Sequence, residues 1–454
     1  MFSIAATGNN LDCENHMGQD QFEPSNQLIT EESVCIPAGN GQRQNFRGML
    51  FTAEKLLLRS VLNAFGNPPV HVVLWDGLEI PNPNGNTVAQ VLLRDRGALL
   101  KLIADPGLNF AELYSAQRIE VIGDLLEFLE AVYQVWPVSS HGKIRKLLAP
   151  LIGLQRNTFS KARSNVSHHY DIGNDFYKLW LDERMLYTCA YFPSADLTLE
   201  EAQLAKMDHV CRKLRFKPGE TVVEAGCGWG ALSLHMAKHY GVKVKAYNIS
   251  KEQLAFARER ADKEGMNNQV EFIEDDYRNV RGKYDAFVSV GMLEHIGVDH
   301  FQELGAVIDR CLKAEGRGLI HSIGVNYPRP IDAWAERYIF PGAGPPSLGQ
   351  MMQIFEPFDF SVLDVENLRL HYARTLEHWL RRYEDNADKV LEMFDQEFVR
   401  AWRLYLAGSV ATFKTGDMQL FQVVFTRAGN NQIPWTRQAL YEPRSCIGDT
   451  VGKL

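Results

Sequence analysis

Three glycines that alternate with other residues constrain the fold more than any other part of this sequence. The stretch VVEAGCGWGALSLHMAKHY, residues 222–240, places Gly226, Gly228 and Gly230 between an apolar segment and a segment of helical periodicity. Glycine is favoured where the backbone needs a positive φ or lies directly against a ligand. A glycine-rich turn between a strand and a helix is typical of nucleotide-binding α/β domains. The alternative at this point is a turn that serves the fold alone.

Apolar segments and helical segments alternate from about residue 165 onward. Helical stretches such as KEQLAFARERADKEG and FQELGAVIDRCL separate the predicted strands, and the helical run Glu397–Thr412 precedes the last one. This alternation predicts an α/β fold, Rossmann-like, in which a mostly parallel sheet is covered by helices. The predicted strands are TVVEAGCG, VKVKAYNIS, VEFIEDDY, YDAFVSVGM, RGLIHSIGV and DMQLFQVVFTRA.

The spacing of the glycines indicates which class of ligand the turn binds. G-x-G-x-G differs from the G-x-G-x-x-G loop that brings a helix onto a pyrophosphate. Because Glu224 stands two residues before the first glycine, the shorter pattern suits a bulky neutral or zwitterionic ligand, and S-adenosylmethionine is such a ligand. In a sheet of this type the ligand lies beyond the carboxyl ends of the strands.

Breaks in the pattern predict how the 454 residues are divided. The first segment is polar and predicts a tail without a fold of its own. A small α+β domain follows, with a helix near residues 53–64, the strand VHVVLWDG and two amphipathic helices in DRGALLKLIADPG and GDLLEFLEAVYQVW. The predicted boundaries are a flexible tail over 1–45, the small N-terminal domain over 46–140, a basic linker over 141–165, the α/β domain over 166–430 and a C-terminal tail over 431–454.

Charge is unevenly distributed, although the whole chain has a formal net charge of −8. Residues 1–140 hold 8 basic and 16 acidic side chains, whereas residues 141–165 hold six basic side chains and no acidic ones. The basic linker is either a solvated helix or a membrane-surface contact, because its charges flank the apolar run LLAPLIGL. The overall acidity gives no support to nucleic-acid binding. The six basic residues are Lys143, Arg145, Lys146, Arg156, Lys161 and Arg163.

Cysteine spacing and hydropathy bear on metal binding and on location. The seven cysteines show neither metal-type pairing nor disulfide-like spacing, so we expect no metal and a reduced cytosolic compartment. No apolar run reaches the roughly 18 residues of a membrane span, and the polar N-terminus lacks a secretory signal pattern. We therefore expect a cytoplasmic protein that meets a membrane from its surface.

Seven segments, in chain order, resemble the cyclopropane fatty acid synthase family of S-adenosylmethionine-dependent lipid methyltransferases. The resemblance spans roughly residues 160–428 and implies a class I methyltransferase domain with acyl-binding insertions. The residues before it look like the small N-terminal domain of the bacterial phospholipid-modifying members. The segments are HHYDIGNDFYKLWLDERMLYTCAYF, EAGCGWGALSLHMA, SVGMLEHIG, HSIG, RYIFPGAGPPS, LHYARTLEHW and FQVVF.

The resemblance implies a reaction that needs a bound base. An alkene carbon is a poor nucleophile, so methyl transfer from a sulfonium needs close positioning and a site that tolerates a developing carbocation. A proton must then leave the new methyl group before a three-membered ring can close. In the family this base is understood to be bicarbonate. The implied ligands are the backbones of Cys189 and Ile323 and the side chains of Glu294, His321 and Tyr372.

Each of these residues has a structural alternative. Cys189 alone would be an ordinary buried thiol. Glu294 would cap the helix that follows its strand, and His321 would be a satisfied core histidine. Tyr372 would serve packing. The joint occurrence of apt side chains at strand or loop ends favours the bicarbonate site.

The resemblance also implies cofactor and channel residues. Asn248 stands where the group usually has threonine, which weakens the expected contact with the ribose. Aromatic faces stabilise positive charge, although the same rings can line an acyl tunnel or fill a core. The predicted cofactor-binding residues are Tyr170, Tyr187, Thr188, Glu224, Gly226, Gly228, Gly230, Asn248, Gln253 and Tyr277, and the predicted channel residues are Tyr191, Tyr338, Phe340 and Trp379.

Three functions stay open from the sequence. The first is cyclopropanation of cis-unsaturated acyl chains in membrane phospholipids. The second is a sister C-methylation that leaves a methylene or methyl branch. The third is a lipid-binding protein without activity, against which the complete glycine turn and base ligands argue. We expect phospholipid partners, a location at the inner face of the membrane and a homodimer, with the small domain either making the dimer contact or organising lipid.

Overall fold

The computed structural model describes residues 54–60, 62–63, 65–82, 85–135 and 172–441. The predicted tail over 1–45 and the predicted basic linker over 141–165 lie outside these residues, and so does Tyr170.

A four-stranded sheet forms the framework of the N-terminal region. Its order is β2-β1-β3-β4, with β1 parallel to β3 and the other neighbours antiparallel. Residues 54–60 are helical, and three further helices, α1 to α3, follow the third strand. The bounds are β1 Val70–Val73, β2 Glu79–Ile80, β3 Ala89–Leu93, α1 Arg96–Ala104, α2 Pro106–Ser115, β4 Ile119–Ile122 and α3 Leu125–Val135.

The helix predicted in DRGALLKLIADPG is present as α1, and a second helix that was not predicted, α2, begins directly after it. Asp95 accepts a hydrogen bond from the Ala98 N–H and caps α1. Asp105 caps α2 in the same way, with Pro106 at its first turn. Asp is favoured at an N-cap and Pro at the first helical position, so the two helices meet at Asp105.

A seven-stranded sheet forms the framework of the larger domain and confirms the predicted α/β fold. Its order is β10-β11-β9-β8-β5-β6-β7; β5 to β9 pair in parallel, whereas β11 runs antiparallel to both of its neighbours. The edge strand β10 was not predicted. The bounds are β5 Thr221–Ala225, β6 Lys243–Asn248, β7 Val270–Glu274, β8 Tyr284–Val290, β9 Leu312–Gly324, β10 Phe360–Asn367 and β11 Gln419–Arg427.

Helices cover this sheet and carry several site residues. α5 begins with a capping box in which Thr198 and Glu201 bond each other's backbone. The helices are α4 Asn174–Lys178, α5 Leu199–Leu214, α6 Ala231–Tyr240, α7 Lys251–Glu264, α8 Leu293–Ile296, α9 Phe301–Cys311, α10 Leu348–Met351, α11 Arg369–Asp385, α12 Ala387–Met393, α13 Gln396–Thr415 and α14 Gln438–Tyr441.

The long helix α13 joins the small domain to the larger one. The Arg400 guanidinium lies 4.1 Å from the Tyr114 ring centroid and bonds the Glu120 carboxylate at 3.0 Å. At the other end of the helix, Lys414 Nζ lies 2.8 Å from Glu130. Charged groups from one helix therefore anchor α2, β4 and α3 of the small domain.

The beginning of the predicted C-terminal tail packs on the α/β domain. Arg437 bonds the Asp364 carboxylate on β10, and Arg212 of α5 donates to the Leu440 carbonyl at 3.3 Å. Within the described ranges, no helix combines the length and apolar composition needed to cross a membrane.

Candidate active site

The glycine turn forms between β5 and α6, and each of its glycines has a positive φ, +81°, +53° and +81° in chain order. The N–H groups of Gly226 and Cys227 both donate to the Tyr247 carbonyl on β6, at 2.9 and 3.1 Å. A Cβ at Gly228 would meet no described atom within 4 Å, whereas one at Gly230 would approach Phe272 to 2.6 Å. Gly228 therefore leaves room for a ligand, and Gly230 is required for packing of α6.

A cavity lies at the carboxyl ends of β5, β6 and β8, where such a sheet binds its ligand. Gly230 is not among the residues that line it. Eight of the predicted cofactor-binding residues do line it, namely Tyr187, Thr188, Glu224, Gly226, Gly228, Asn248, Gln253 and Tyr277.

Two polar side chains after β6 are bonded to each other at the cavity. Asn248 Nδ2 donates to Gln253 Oε1 at 2.8 Å and to the Gly228 carbonyl at 3.2 Å. Asn248 Oδ1 accepts from the N–H groups of Ile249 and Ser250. Both ends of the Asn248 amide are thus used within the protein, and its geometry orients Gln253 beside the glycine turn.

Two buried charged groups also line the cavity, and only one of them was predicted. Glu224 accepts from Ser233 Oγ, and burial raises the pKa of its carboxyl to about 7. Lys206 of α5 donates to Thr188 Oγ1 at 2.7 Å, and burial lowers the pKa of its ammonium to about 8. The sequence did contain a signal for Lys206, because it shares the apolar face of α5 with Leu199, Gln203 and Val210.

Glu294 is buried on α8, directly after β8, with 5% of its surface exposed. Its carboxylate accepts from Ser322 Oγ at 3.0 Å and from the Ile323 N–H at 3.4 Å. Burial raises the pKa of this carboxyl to about 7. No side chain caps α8, whose N-cap residue is Met292. Glu294 therefore faces β9 and does not act as a helix cap.

His321 lies on β9, directly before the residue whose hydroxyl bonds Glu294, and is 1% exposed. Its Nδ1 lies 3.0 Å from Gln422 Nε2 on β11, and its Nε2 has no hydrogen-bond partner among the described residues. Burial lowers the pKa of the imidazole well below its ordinary value. A histidine that only filled the core would have both ring nitrogens paired, so the unpaired Nε2 points to a ligand.

Cys189 and Tyr372 both contact the backbone carbonyl of Leu368. The Cys189 thiol lies 3.9 Å from the Leu368 carbonyl, which also accepts from the Tyr372 N–H at 3.1 Å. The Leu368 N–H donates to the Leu420 carbonyl on β11, and Leu420 pairs with Ile323. Burial raises the pKa of the Cys189 thiol. Backbone contacts thus connect the segments that carry the five predicted base-site residues, although none of these residues lines the cavity itself.

The four predicted channel aromatics lie in different places. Phe340 lines the cavity with its ring 5.7 Å from that of His295. Trp379 is fully buried against Tyr187, at 5.3 Å between ring centroids. Two others lie away from the cavity lining: Tyr191 stacks on His209 at 4.1 Å, and Tyr338 is 44% exposed and donates to Glu112 of the small domain at 2.7 Å.

Comparison with known proteins shows which family this chain resembles. The family model described as mycolic acid cyclopropane synthetase matches residues 157–423, and one described as a domain of unknown function matches residues 57–143. The cyclopropane-fatty-acyl-phospholipid synthase of Escherichia coli K12 is 40% identical over 278 residues, covering 61% of this chain and 71% of that protein. A probable fatty acid methyltransferase of Pseudomonas putida is 38% identical over 287 residues, covering 61% and 73%.

Solved structures give the same result. The cyclopropane synthase MmaA2 from Mycobacterium tuberculosis has a TM-score of 0.56 and 29% identity, covering 58% of this chain and 98% of that chain. The mycolic acid cyclopropane synthase CmaA1, solved with SAH and CTAB, gives the same TM-score, identity and coverage.

The fold and these comparisons define a class I S-adenosylmethionine-dependent methyltransferase. The chain belongs to the mycolic acid cyclopropane synthetase family, whose relatives here modify acyl lipids. The predicted family, fold class and S-adenosylmethionine cofactor are thereby confirmed.

Proposed function

We propose that this methyltransferase converts cis double bonds in phospholipid acyl chains into cyclopropane rings. One observation carries the proposal: a buried carboxyl group and a buried imidazole nitrogen without a partner among the described residues lie on segments that border the ligand cavity. Gly291 lines that cavity and donates its N–H to the His321 carbonyl at 2.9 Å. A methyltransferase that acts on an amine or a hydroxyl needs at most a base for the proton of its nucleophile, whereas ring formation also needs a base for a proton of the transferred methyl group.

The residues behind the cavity fit a bound bicarbonate. His321 Nε2 needs a partner, the Ile323 N–H already points at a carboxylate, and Glu294 can carry a proton near neutral pH. We assign these three groups, with the Cys189 backbone and Tyr372, as its ligands. Bound there, bicarbonate would supply a base for the proton that leaves the transferred methyl group. Glu294 and His321 orient this base and exclude water, because both are almost fully buried.

Aromatic rings near the cavity suit a reaction that develops positive charge on carbon. Tyr187 lines the cavity and contacts Trp180 and Trp379, with ring centroids 5.2 and 5.3 Å away. Its hydroxyl lies 2.7 Å from that of Tyr405. Each favourable cation–π contact is worth about 0.5–2 kcal/mol, and these rings also keep water from a reactive cation. We propose that Tyr187 and Trp379 line the acyl end of the site.

Access to the acyl chain is proposed to come from the membrane surface at the cytoplasmic side, with the protein as a homodimer. The basic linker, outside the described residues, is the candidate docking element. Several lysines or arginines near anionic lipid contribute about 1 kcal/mol each. Charge reversal of Lys143, Arg145 and Lys146 is expected to weaken binding to anionic vesicles while binding of S-adenosylmethionine is kept. If vesicle binding is unchanged, the linker is not the element that docks the protein on the membrane.

A second candidate function is C-methylation that leaves a branch instead of a ring. It is favoured by the names of two relatives, the probable fatty acid methyltransferase of P. putida and the tuberculostearic acid methyltransferase UfaA1 of M. tuberculosis. UfaA1 is 34% identical over 283 residues, covering 59% of this chain and 66% of that protein. The same base ligands are compatible with a ring and with a methylene branch, because the base takes a proton from the transferred methyl group in both cases. A hydride shift that first moves the cation to the methylated carbon gives the methylene branch, and a saturated methyl branch would then need a separate reductant.

Mass spectrometry of acyl chains from a host that expresses the protein separates these functions. A product one methylene heavier that resists ozonolysis, and whose ester shows a ring by NMR, supports cyclopropanation. A heavier product that ozone cleaves indicates a methylene or other unsaturated branched product. Glu294→Gln is the inactive control, and Glu356→Gln, at an exposed position, is the matched active control. If no acyl chain from the expressing host is heavier by one methylene, the proposal of acyl-chain methylation is wrong.

A further inference from the structure

Gln422 lies between His321 and a lysine in the sheet interior. Gln422 is fully buried, and the Lys213 side chain is 2% exposed. Lys213 Nζ, at the end of α5, lies 2.8 Å from Gln422 Oε1, and Gln422 Nε2 lies 3.0 Å from His321 Nδ1. The three side chains thus form one buried chain of hydrogen bonds that ends at the base site.

The chemistry of lysine determines the direction of every hydrogen bond in this chain. An ammonium group donates and cannot accept, so the Gln422 atom that faces Lys213 must be the amide oxygen. The Gln422 amino group then faces His321 and donates to Nδ1. A neutral imidazole with an accepting Nδ1 carries its proton on Nε2, which is the nitrogen that has no partner among the described residues.

A carboxylate holds Lys213 in place at the start of the chain. Glu366 Oε2 lies 2.5 Å from Lys213 Nζ and 2.7 Å from His209 Nε2. Burial opposes the negative charge on Glu366, but its bonds to His209 and Lys213 outweigh that effect and lower the pKa of the carboxyl to about 2. Glu366 is therefore an acceptor at any physiological pH. Burial lowers the pKa of the Lys213 ammonium, and the bond to Glu366 opposes that effect and favours the charged donor.

We propose that Lys213 and Gln422 are positioning residues that hold His321 as the tautomer with its proton on Nε2, so that this N–H donates to an oxyanion bound beside Glu294. The inference rests on the bicarbonate site of the proposed function. In the opposite tautomer, the Nε2 lone pair would face the oxyanion and repel it. The arrangement supplies a donor to an anion without placing a positive charge next to a developing carbocation.

The tautomer itself can be measured without any turnover. In full-length protein labelled with ¹⁵N-histidine, the His321 signals are identified by their loss in His321→Asn. We expect a pyridine-like shift for Nδ1 and a pyrrole-like shift for Nε2. A pyrrole-like Nδ1 in the wild-type protein would overturn the proposal, whether or not the enzyme makes a cyclopropane.

A pair of variants on one strand separates positioning from packing. Gln422→Met keeps the length of the side chain but removes the donor to His321, whereas Gln419→Met alters an equally buried glutamine of β11 that bonds Gly416 and Asn367. Because the variant loses the tautomer whose Nε2–H donates to the bound anion, we expect Gln422→Met to need about 10-fold or more bicarbonate for half-maximal turnover. S-adenosylmethionine affinity should not change in either variant.

Lys213 variants test the first link of the chain. Lys213→Met should let the Gln422 amide rotate and give a mixture of His321 tautomers, and Lys213→Arg should restore the wild-type spectrum because arginine is also only a donor. If the tautomer and the bicarbonate dependence stay at their wild-type values in both Lys213→Met and Gln422→Met, the proposal is wrong. Failure of the wild-type enzyme to methylate acyl chains would instead contradict the proposed function and leave the tautomer result standing.

Discussion

The two halves of the candidate site are built in different ways. The cofactor half is largely backbone: the turn at Gly226, Gly228 and Gly230, held by the Tyr247 carbonyl, leaves space at the end of β5. The base half consists of side chains from separate segments, with Glu294 on α8 and His321 on β9. The turn provides space for the cofactor, whereas the buried polar groups can bind an anion and take part in proton transfer. Changes in the first half should therefore affect binding or folding, and changes in the second should affect turnover.

The largest expected effect is on turnover in the base half. Glu294→Gln removes a carboxyl that can hold a proton near neutral pH but keeps the shape of the side chain. Loss of a positioned acid or base group typically costs about 10²- to 10⁴-fold, so we expect turnover to fall by at least about 10²-fold. S-adenosylmethionine affinity, measured by calorimetry, should stay within about 2-fold, because Glu294 does not line the cavity. A parallel loss of cofactor binding would contradict the separation of the two halves.

Each half also holds one buried carboxyl, and the two should respond to pH alike. Burial raises the pKa values of Glu224 and Glu294 from 4.5 to about 7. Between these values each carboxyl keeps a proton in the folded protein that the unfolded chain has lost, so its contribution to the free energy of unfolding falls as pH rises. Each carboxyl contributes about 3 kcal/mol that is present below pH 4.5 and is lost as pH rises through about 7.

Urea unfolding between about pH 5 and pH 8 tests this expectation. Relative to the wild-type protein, Glu224→Gln and Glu294→Gln should each remove most of a decrease of about 3 kcal/mol over this range. Burial lowers the pKa values of His295 and His321, and the rise with pH that these histidines add is common to all variants. Glu356→Gln, at an exposed position, should keep the wild-type slope. If Glu294→Gln leaves the slope unchanged, its carboxyl is already ionised in the folded protein at neutral pH.

The same contrast explains what the sequence could predict. The glycine turn and the parallel strands have local signatures, so they were found from residues adjacent in sequence. The base residues are separated along the chain and meet only through contacts such as those at the Leu368 carbonyl, so they were found by family resemblance. The edge strand Phe360–Asn367 was missed because only Phe360 is buried in it. Lys206 and Lys213 were missed because charged residues on a helix are usually exposed, although both share its apolar face.

Two glycines within the cofactor half should themselves behave differently. Gly228→Ala and Gly230→Ala share the strain of a positive φ, about 1–2 kcal/mol. Only Gly230→Ala adds a collision, with Phe272 at 2.6 Å and Ala257 at 2.8 Å, and overpacking costs about 1–3 kcal/mol more. We expect Gly230→Ala to be the less stable protein and Gly228→Ala to bind S-adenosylmethionine less tightly. Equal stability of the two variants in urea would contradict this assignment.

The smallest expected effect concerns Tyr338, which the sequence suggested for the acyl channel. Its hydroxyl donates to Glu112 of the small domain, and the residue is 44% exposed. Removing an exposed hydrogen bond to a charged group costs little, because water replaces it. Tyr338→Phe should therefore lower the free energy of unfolding by less than about 1 kcal/mol and leave turnover unchanged. Phe340→Ala, which alters a ring that does line the cavity, should lower turnover in the same assay. A large loss of turnover in Tyr338→Phe with normal stability would place the acyl chain along the junction of the two domains.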